Sequence, residues 1–600
     1  MKTVSRHLLV GTASLSLATV ALYGCKNFLT DAAKPDGTLN SQSLANKAGV
    51  EGTLIAAYRP LDCTGNTNSN WGCSASNWVW ASVAGDDSYK GSNGTDQPPI
   101  NDIEAYHWGT ADAESYLNNK WRIVYEGVVR ANSAIRLLKS VQAASPGLIT
   151  AVDASGIAGE ATFLRAYYHF EAYRMWGNVP YYREDDVDFR KANLDNKAVV
   201  VEILKDLTDA IAKLPATPRN GQKGRATSWT AKAYMGRVQM YDGQFAAALT
   251  TLRDVQANGP YALETSFDRV WTGFTAFENG KETIFAYQAS VNDGEPSGNN
   301  SNYGERLNFP YSGSHFGCCG FNQPTQNLVN FYQVDAAGLP LYLSASTTWN
   351  SSDANFTGSN LTPVDPRLDW TVGRDGVPYK DWGNHNSATW VRDISNGGYY
   401  SPKKNAHEKA SGNESTVGWQ NTQLNGVNVH LFRYADLLLL LAEAEVEAGT
   451  LPNARAIVNQ IRARAGVMAQ GPGTSAANIA VPINDPSITW AVYSVGQYPP
   501  VPFQTNQAYA RQAVRDERRL ELALEGQRMF DLRRWNTYDV VLNAFLTGVG
   551  GGKEASVTRR AYLIAAEPLG PKHRWYPLPQ TQVLLSKVGA TPMLKQNTGW

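Results

Sequence analysis

The chain reads as a mainly α-helical protein in which two helical blocks flank one long loop-rich stretch. Apolar residues recur at helical spacing over 49–257 and again over 431–600. Between them, residues 258–430 are rich in Gly, Asn, Ser and Asp and lose that periodicity. Aromatic residues are abundant, with 17 Trp, 29 Tyr and 18 Phe, and many fall in polar, glycine-containing stretches rather than in the helical patterns. The run 437–442 is apolar but far too short to span a bilayer.

The chain opens with Lys2, Arg6 and His7, followed by an uncharged stretch from Leu8 to Tyr23. That length suits a signal-peptide core better than a membrane span. The run ends in Leu22-Tyr23-Gly24-Cys25, which resembles a bacterial lipoprotein cleavage site. The expected organisation is a signal peptide over 1–24, a lipidated flexible tether over 25–48 with Cys25 acylated, and one domain over 49–600. Within that domain, 49–257 and 431–600 form the helical scaffold and 258–430 a variable loop-rich region.

The first expected helix begins at Val50 and runs to Tyr58. Residues 60–100 are loop-rich and carry Trp71, Trp78 and Trp80. Helices follow at 115–143, at 156–176 (stopped by Gly177 and Pro180), and at 199–214 (stopped by Pro215). Segments 226–240 and 244–255 make a helix pair around Tyr241-Asp242-Gly243, with small residues where the helices must approach, in the rhythm of tetratricopeptide repeats. Helix returns at Tyr434 as a leucine run expected to be buried, with Asp436 as N-cap and Gly449 as stop. A helix at 453–465 follows, then a Gly/Pro-rich loop over 468–505, one long helix over 508–535 and an extended tail.

Basic and acidic residues balance at 54 each. Loss of residues 1–24 removes Lys2 and Arg6 and no acid, leaving 52 against 54. A near-neutral chain lacks the basic surface that nucleic-acid binding needs. Of five cysteines, Cys25 is assigned to lipid and four remain for an oxidising compartment. Cys63 and Cys73 can close a short loop. Cys318 and Cys319 are either a vicinal disulfide or a reduced pair, and the spacings do not match a structural zinc site.

Several motifs stand in order along the chain. They are Gly159-Glu160-Ala161 through Tyr168 with Trp176-Gly177-Asn178-Val179-Pro180, then Gly224-Arg225-Ala226, then Arg433-Tyr434-Ala435-Asp436. Asn453 through Gly466, Glu517-Arg518-Arg519 through Arg528, and the terminal Gln596-Asn597-Thr598-Gly599-Trp600 complete the set. Together they resemble the SusD/RagB family of outer-membrane nutrient-binding lipoproteins, and the resemblance implies a SusD-like fold with four tetratricopeptide-like helix pairs and a variable ligand-binding region. It also implies a lipid-anchored protein facing the cell exterior. Such a protein binds oligo- or polysaccharide without cleaving it and delivers it to a SusC-like TonB-dependent transporter. A RagB-like binder of peptides or glycopeptides is the alternative, followed by a surface glycoside hydrolase and a purely structural scaffold.

No HExxH pair, GxSxG elbow or P-loop is present. Glu521 and Glu525 stand four residues apart, a spacing that brings two carboxylates together as in a glycosidase. Arg433, Arg462, Arg464, Arg515, Arg518, Arg519 and Arg528 lie in the same or neighbouring elements, so a packing ion-pair network is the stronger expectation. No cofactor or catalytic metal is expected, although irregular carbonyl groups leave room for a structural calcium. The ligand site is therefore sought among loop aromatics, which stack on the apolar face of a sugar while Asn, Asp or Arg bond its hydroxyl rim. Trp71 with Asn70 is the first choice, held in the Cys63–Cys73 loop. Trp382, Trp390, Tyr303 and Tyr311 follow, in similar polar settings.

Overall fold

The structure is a computed structural model that describes residues 43–63, 71–186, 188–343, 350, 354–547 and 560–600. Cys25, the leader and the tether up to residue 42 lie outside the described residues, as does Asn70.

The scaffold begins with α1 (Lys47–Tyr58), α2 (Ala111–Ala144), α3 (Ala151–Trp176), α4 (Asn196–Lys213), α5 (Ser228–Tyr241) and α6 (Phe245–Asn258). Local signals set their starts. Thr110 and Thr150 accept the N–H groups of Ala113 and Asp153, Asp195 accepts that of Lys197, and Thr227 with Thr230 forms a reciprocal cap on α5. Each helix from α2 onward packs on the next, and α6 hands over to α7 (Tyr434–Ala448), which packs on α8 (Leu451–Ala465) and α9 (Gln507–Leu522). Helix α3 is the central rod, with every residue from 159 to 176 buried. Where α5 crosses α6, a Cβ at Gly236 would lie 2.4 Å from Leu252, so only glycine permits that approach. Leu437 to Leu441 are all completely buried, as a leucine run without a polar face requires.

Two expectations change. Asp436 is not the N-cap of α7; Arg433 holds that position, and Asp436 sits in the first turn accepting Arg518 at 2.8 Å. The expected 508–535 helix is two helices, α9 and α10 (Arg528–Arg534), separated by a turn with Leu524 and Gly526 at φ +62° and +67°. A Cβ at Gly526 would lie 1.5 Å from the Ser76 carbonyl oxygen. The turn seats the chain against the 74–78 segment, which a continuous helix could not reach.

The loop-rich region leaves and returns through one gate. Strand Thr283–Tyr287 pairs antiparallel with Val429–Arg433, so the intervening 141 residues are an excursion closed at its base. Inside it are short helices of four to six residues and a strand Phe321–Pro324 that pairs with Ser88–Gly91 of the N-terminal block.

A buried ion network clamps the excursion to the scaffold. Glu521 accepts Arg433 Nη1 at 2.7 Å, Arg367 Nη1 at 2.9 Å and Arg464 Nη2. Glu525 accepts Arg433 Nε at 2.7 Å and Lys404 Nζ at 2.6 Å. Arg367 also pairs with Asp365 and Glu517, and Arg433 with Glu282. All these groups are buried. Burial pushes the Glu521 carboxyl upward, but Arg464, Arg433 and Arg367 outweigh that and hold it well below the usual carboxylate range. Burial brings Lys404 down to about 8.

Candidate functional site

Two buried tryptophans prepare the backbone on which the candidate site stands. Trp80 Nε1 donates to the Gly72 carbonyl at 2.6 Å, and Trp78 Nε1 donates to the Gly304 carbonyl at 3.2 Å. Those carbonyls neighbour Trp71 and Tyr303. Cys63 and Cys73 are joined, which anchors the turn Trp71–Cys73 at its end. Asp62 binds both segments at once, accepting Ala75 N–H at 2.8 Å and Gly304 N–H at 2.9 Å. Glu305 accepts Ser74 Oγ, Asn308 Nδ2 and Asn405 Nδ2. Burial and the neighbouring Glu305 charge push Asp62 up to about 7. Burial raises Glu305 too.

On this floor Trp71 and Tyr303, 232 positions apart in the chain, stack with ring centres 5.7 Å apart and planes 23° from parallel. The Arg306 guanidinium lies 5.7 Å from the Trp71 ring centre and 5.1 Å from that of Tyr303. A third ring completes the group. Trp419, with its centre 4.4 Å from the same guanidinium, is 66% exposed. Trp419 is not among the residues that sequence reasoning selects. Its setting, Val417-Gly418-Trp419-Gln420-Asn421, has the same polar dress as Asn70-Trp71-Gly72 and is the signal that could have found it.

The segment carrying Trp419 is tied down on both sides. Thr422 Oγ1 donates to the Phe316 carbonyl at 2.9 Å, and Gln423 Nε2 donates to the Cys318 carbonyl. Cys318 and Cys319 are joined as a vicinal pair in this wall. Five residues before Trp419, Glu414 accepts His315 Nε2 at 2.6 Å. His315 stacks on Trp382 with centres 4.0 Å apart, and Trp382 Nε1 donates to the His407 carbonyl at 2.8 Å. One short segment therefore serves two aromatic groups, Trp71–Tyr303–Trp419 and His315–Trp382.

The remaining candidates sit differently. Trp390 is only 8% exposed and packs edge-on against Tyr379 and His385, with Phe309 and Phe316 in the same cluster. It is a loop anchor rather than a platform face. Ser387, in the same short helix, is buried and gives both its N–H and its hydroxyl to Asp375, while Asn386 and Thr389 stay exposed. Tyr311 is half-buried, with Arg392 5.2 Å from its ring centre and its N–H donated to the Trp390 carbonyl at 2.6 Å. Among the described residues, no group of three or more His, Cys, Asp or Glu side chains is placed to hold a metal ion.

The arrangement gathers three aromatic rings around a buried guanidinium, with Trp419 largely in solvent, and an exposed aromatic face is the chemistry that a pyranose ring engages. Comparisons with known proteins agree in fold. SusD-like protein P38 of Formosa agariphila is 25% identical over 468 residues, covering 72% of this chain and 79% of its own. A laminarin-binding SusD-like protein of solved structure aligns with a TM-score of 0.62 at 21% identity, covering 92% of this chain and all of its own. Surface glycan-binding protein A from Bacteroides thetaiotaomicron, solved in complex with laminarihexaose, aligns with a TM-score of 0.62 at 17% identity, covering 92% of this chain and 99% of its own. A family model described as starch-binding associating with outer membrane matches residues 69–240, and that of the SusD family matches residues 281–600. With more than half of its length matched by that model, the chain belongs to the SusD family.

Proposed function

We propose that this protein captures glycan at the cell surface and delivers it to a SusC-like TonB-dependent transporter without cleaving it. The observation that carries the reading is the gathering of Trp71, Tyr303 and Trp419 around the Arg306 guanidinium, with Trp419 largely in solvent. An open aromatic face suits a polymer that must be gripped anywhere along its length, whereas a peptide binder would need charged groups for termini in a deeper cavity. One solved structure of similar fold is named for laminarin binding and another holds laminarihexaose, which makes laminarin the first ligand to try. Glu521 and Glu525, buried and each bonded to basic side chains, are a structural clamp in this reading.

Attachment through acylated Cys25 to the outer membrane, facing outward, completes the proposal. The lipoprotein-like Leu22-Tyr23-Gly24-Cys25 run and the outer-membrane association in the description of one matching family model support it.

The test is affinity gel electrophoresis of residues 26–600 against laminarin, starch and a panel of plant, fungal and host polysaccharides. Retardation by one polymer class, with no sugar released, is the expected result. Migration unaffected by every polymer, together with binding to a peptide library, would replace this reading with the peptide-binding one.

A further inference from the structure

Arg306 is a buried cation with no anion beside it among the described residues. Many buried arginines end on carboxylates: Arg367 on Asp365, Arg374 on Asp369, Arg433 on Glu525 and Arg462 on Glu517; Arg533 of α10 does not, and faces the buried rings of Trp108 and Tyr576 instead. Arg306 is 4% exposed and makes no ion pair among the described residues, and its Nε has no hydrogen-bond partner there. The adjacent Glu305 carboxylate is already taken by Ser74, Asn308 and Asn405. The guanidinium instead faces three rings, Trp419 at 4.4 Å, Tyr303 at 5.1 Å and Trp71 at 5.7 Å. Its Nη2 donates to the Trp419 carbonyl at 3.2 Å.

Aromatic faces attract cations, most strongly when the cation is desolvated, and a planar guanidinium can stack as well as attract. Arg306 thus holds both the backbone and the ring of Trp419. That matters because Trp419 lies on an irregular segment with two-thirds of its surface in solvent. A side chain in that position loses rotamer freedom when a ligand arrives, and a contact that fixes it beforehand removes that loss from the binding step.

We propose that Arg306 is the positioning residue of the aromatic platform, fixing Trp419 against Trp71 and Tyr303 before ligand arrives. Its relevance to binding rests on the glycan-capture reading; its effect on Trp419 does not. Arg306 acts through the rings and need not touch the sugar. Because it has no carboxylate partner among the described residues, its replacement strands no buried anion there, and the fold should survive.

The test has a ligand-free arm and a ligand arm. Protein labelled with 5-fluorotryptophan gives fluorine NMR signals for Trp71 and Trp419, assigned by Trp71→Phe and Trp419→Phe. Arg306→Met is expected to move the Trp419 signal toward that of a solvent-exposed indole, with Arg306→Lys intermediate because it keeps charge but not the planar fork. Arg306→Lys carries the measurement where the Met variant fails to fold. In affinity gels with laminarin, Arg306→Met should weaken retardation about tenfold in the native background, and by no more than about twofold when Trp419→Ala is already present. An unmoved Trp419 signal in Arg306→Met, or losses that simply multiply in the double variant, would overturn the proposal. If laminarin does not retard the native protein, capture of that polymer is what fails, and the fluorine signals still decide the role of Arg306.

Discussion

Replacing Glu521 with Gln separates a structural carboxylate from a catalytic one. Glu521 is completely buried and accepts Arg433, Arg367 and Arg464. Removing one partner of a buried ion pair costs about 3–5 kcal/mol. Here each guanidinium keeps at least one other carboxylate, so the lower end, about 3 kcal/mol, applies. With an unfolding entropy of about 2.1 cal/mol/K per residue over roughly 550 residues unfolding together, Tm falls by about 3 °C. The pH dependence follows from the direction of the shift. The folded carboxyl lies well below its ordinary value of 4.5, so its stabilisation is complete above that value and is lost as the pH drops below it. Calorimetry should therefore show the full difference between native protein and Glu521→Gln at pH 7, and a narrower one at pH 4. Added salt should change little, because the pairs are buried. Equal melting at pH 7 would refute the clamp, and loss of a sugar-releasing activity with unchanged melting would make Glu521 a catalytic acid instead.

Trp71→Ala should weaken polysaccharide retardation by about 2 kcal/mol, roughly thirtyfold, with melting nearly unchanged; equal retardation would remove Trp71 from the platform. Trp390→Ala should do the reverse, costing about 3–5 kcal/mol in denaturant unfolding while the folded fraction binds normally. Gly526→Ala forces a Cβ against the Ser76 carbonyl at a positive φ and should destabilise the protein by more than about 1 kcal/mol; a neutral result would mean the 523–527 turn is freer than its contacts indicate. Cys63→Ser with Cys73→Ser opens a cross-link of sequence separation 10, for which loop entropy predicts a loss of about 3 kcal/mol. Weaker ligand retardation should accompany that loss, because the Trp71 turn ends at the cross-link.

The helical blocks were legible because their signals are local: threonine and aspartate caps, glycine and proline stops, and apolar spacing. The α9–α10 break was not, since a single glycine within a helical pattern is weak evidence and the reason for the turn is the Ser76 carbonyl, some 450 residues away. Asp436 shows the same limit. Its residue type suits a cap, but Arg518 claims its carboxylate. Clustering of Glu521 and Glu525 with Arg433 and Arg464 could be expected from the motifs, while Asp365, Arg367 and Lys404 could not, because they enter from the irregular excursion. For the site, Trp71 and Tyr303 were each visible as loop aromatics, but their stacking across 232 positions was not. Trp390 shared the same polar composition and proved buried, because its ring packs against Tyr379 in a cluster with Phe309 and Phe316, which come from a distant part of the excursion. Polar neighbours mark irregular backbone; they do not mark which side of it faces water.

The two kinds of buried arginine show how a loop-rich excursion can be held firmly and still leave a surface free for ligand. Irregular backbone buries few continuous apolar faces, so Arg367 and Lys404 tie it to α9 and the turn after it through carboxylates. Carboxylate partners suit such an attachment because the pair is directional and its loss is strongly destabilising. The same device at the platform would occupy the site with a second charged side chain. With rings as the counter-groups, Arg306 gains electrostatic stabilisation from groups that keep their outer faces for a ligand, and Trp419 remains 66% exposed while its inner face is engaged. Rigid attachment of the excursion and an uncovered aromatic surface thus depend on different partners for the same guanidinium chemistry, which is why Glu521→Gln should lower melting and Arg306→Met should lower binding.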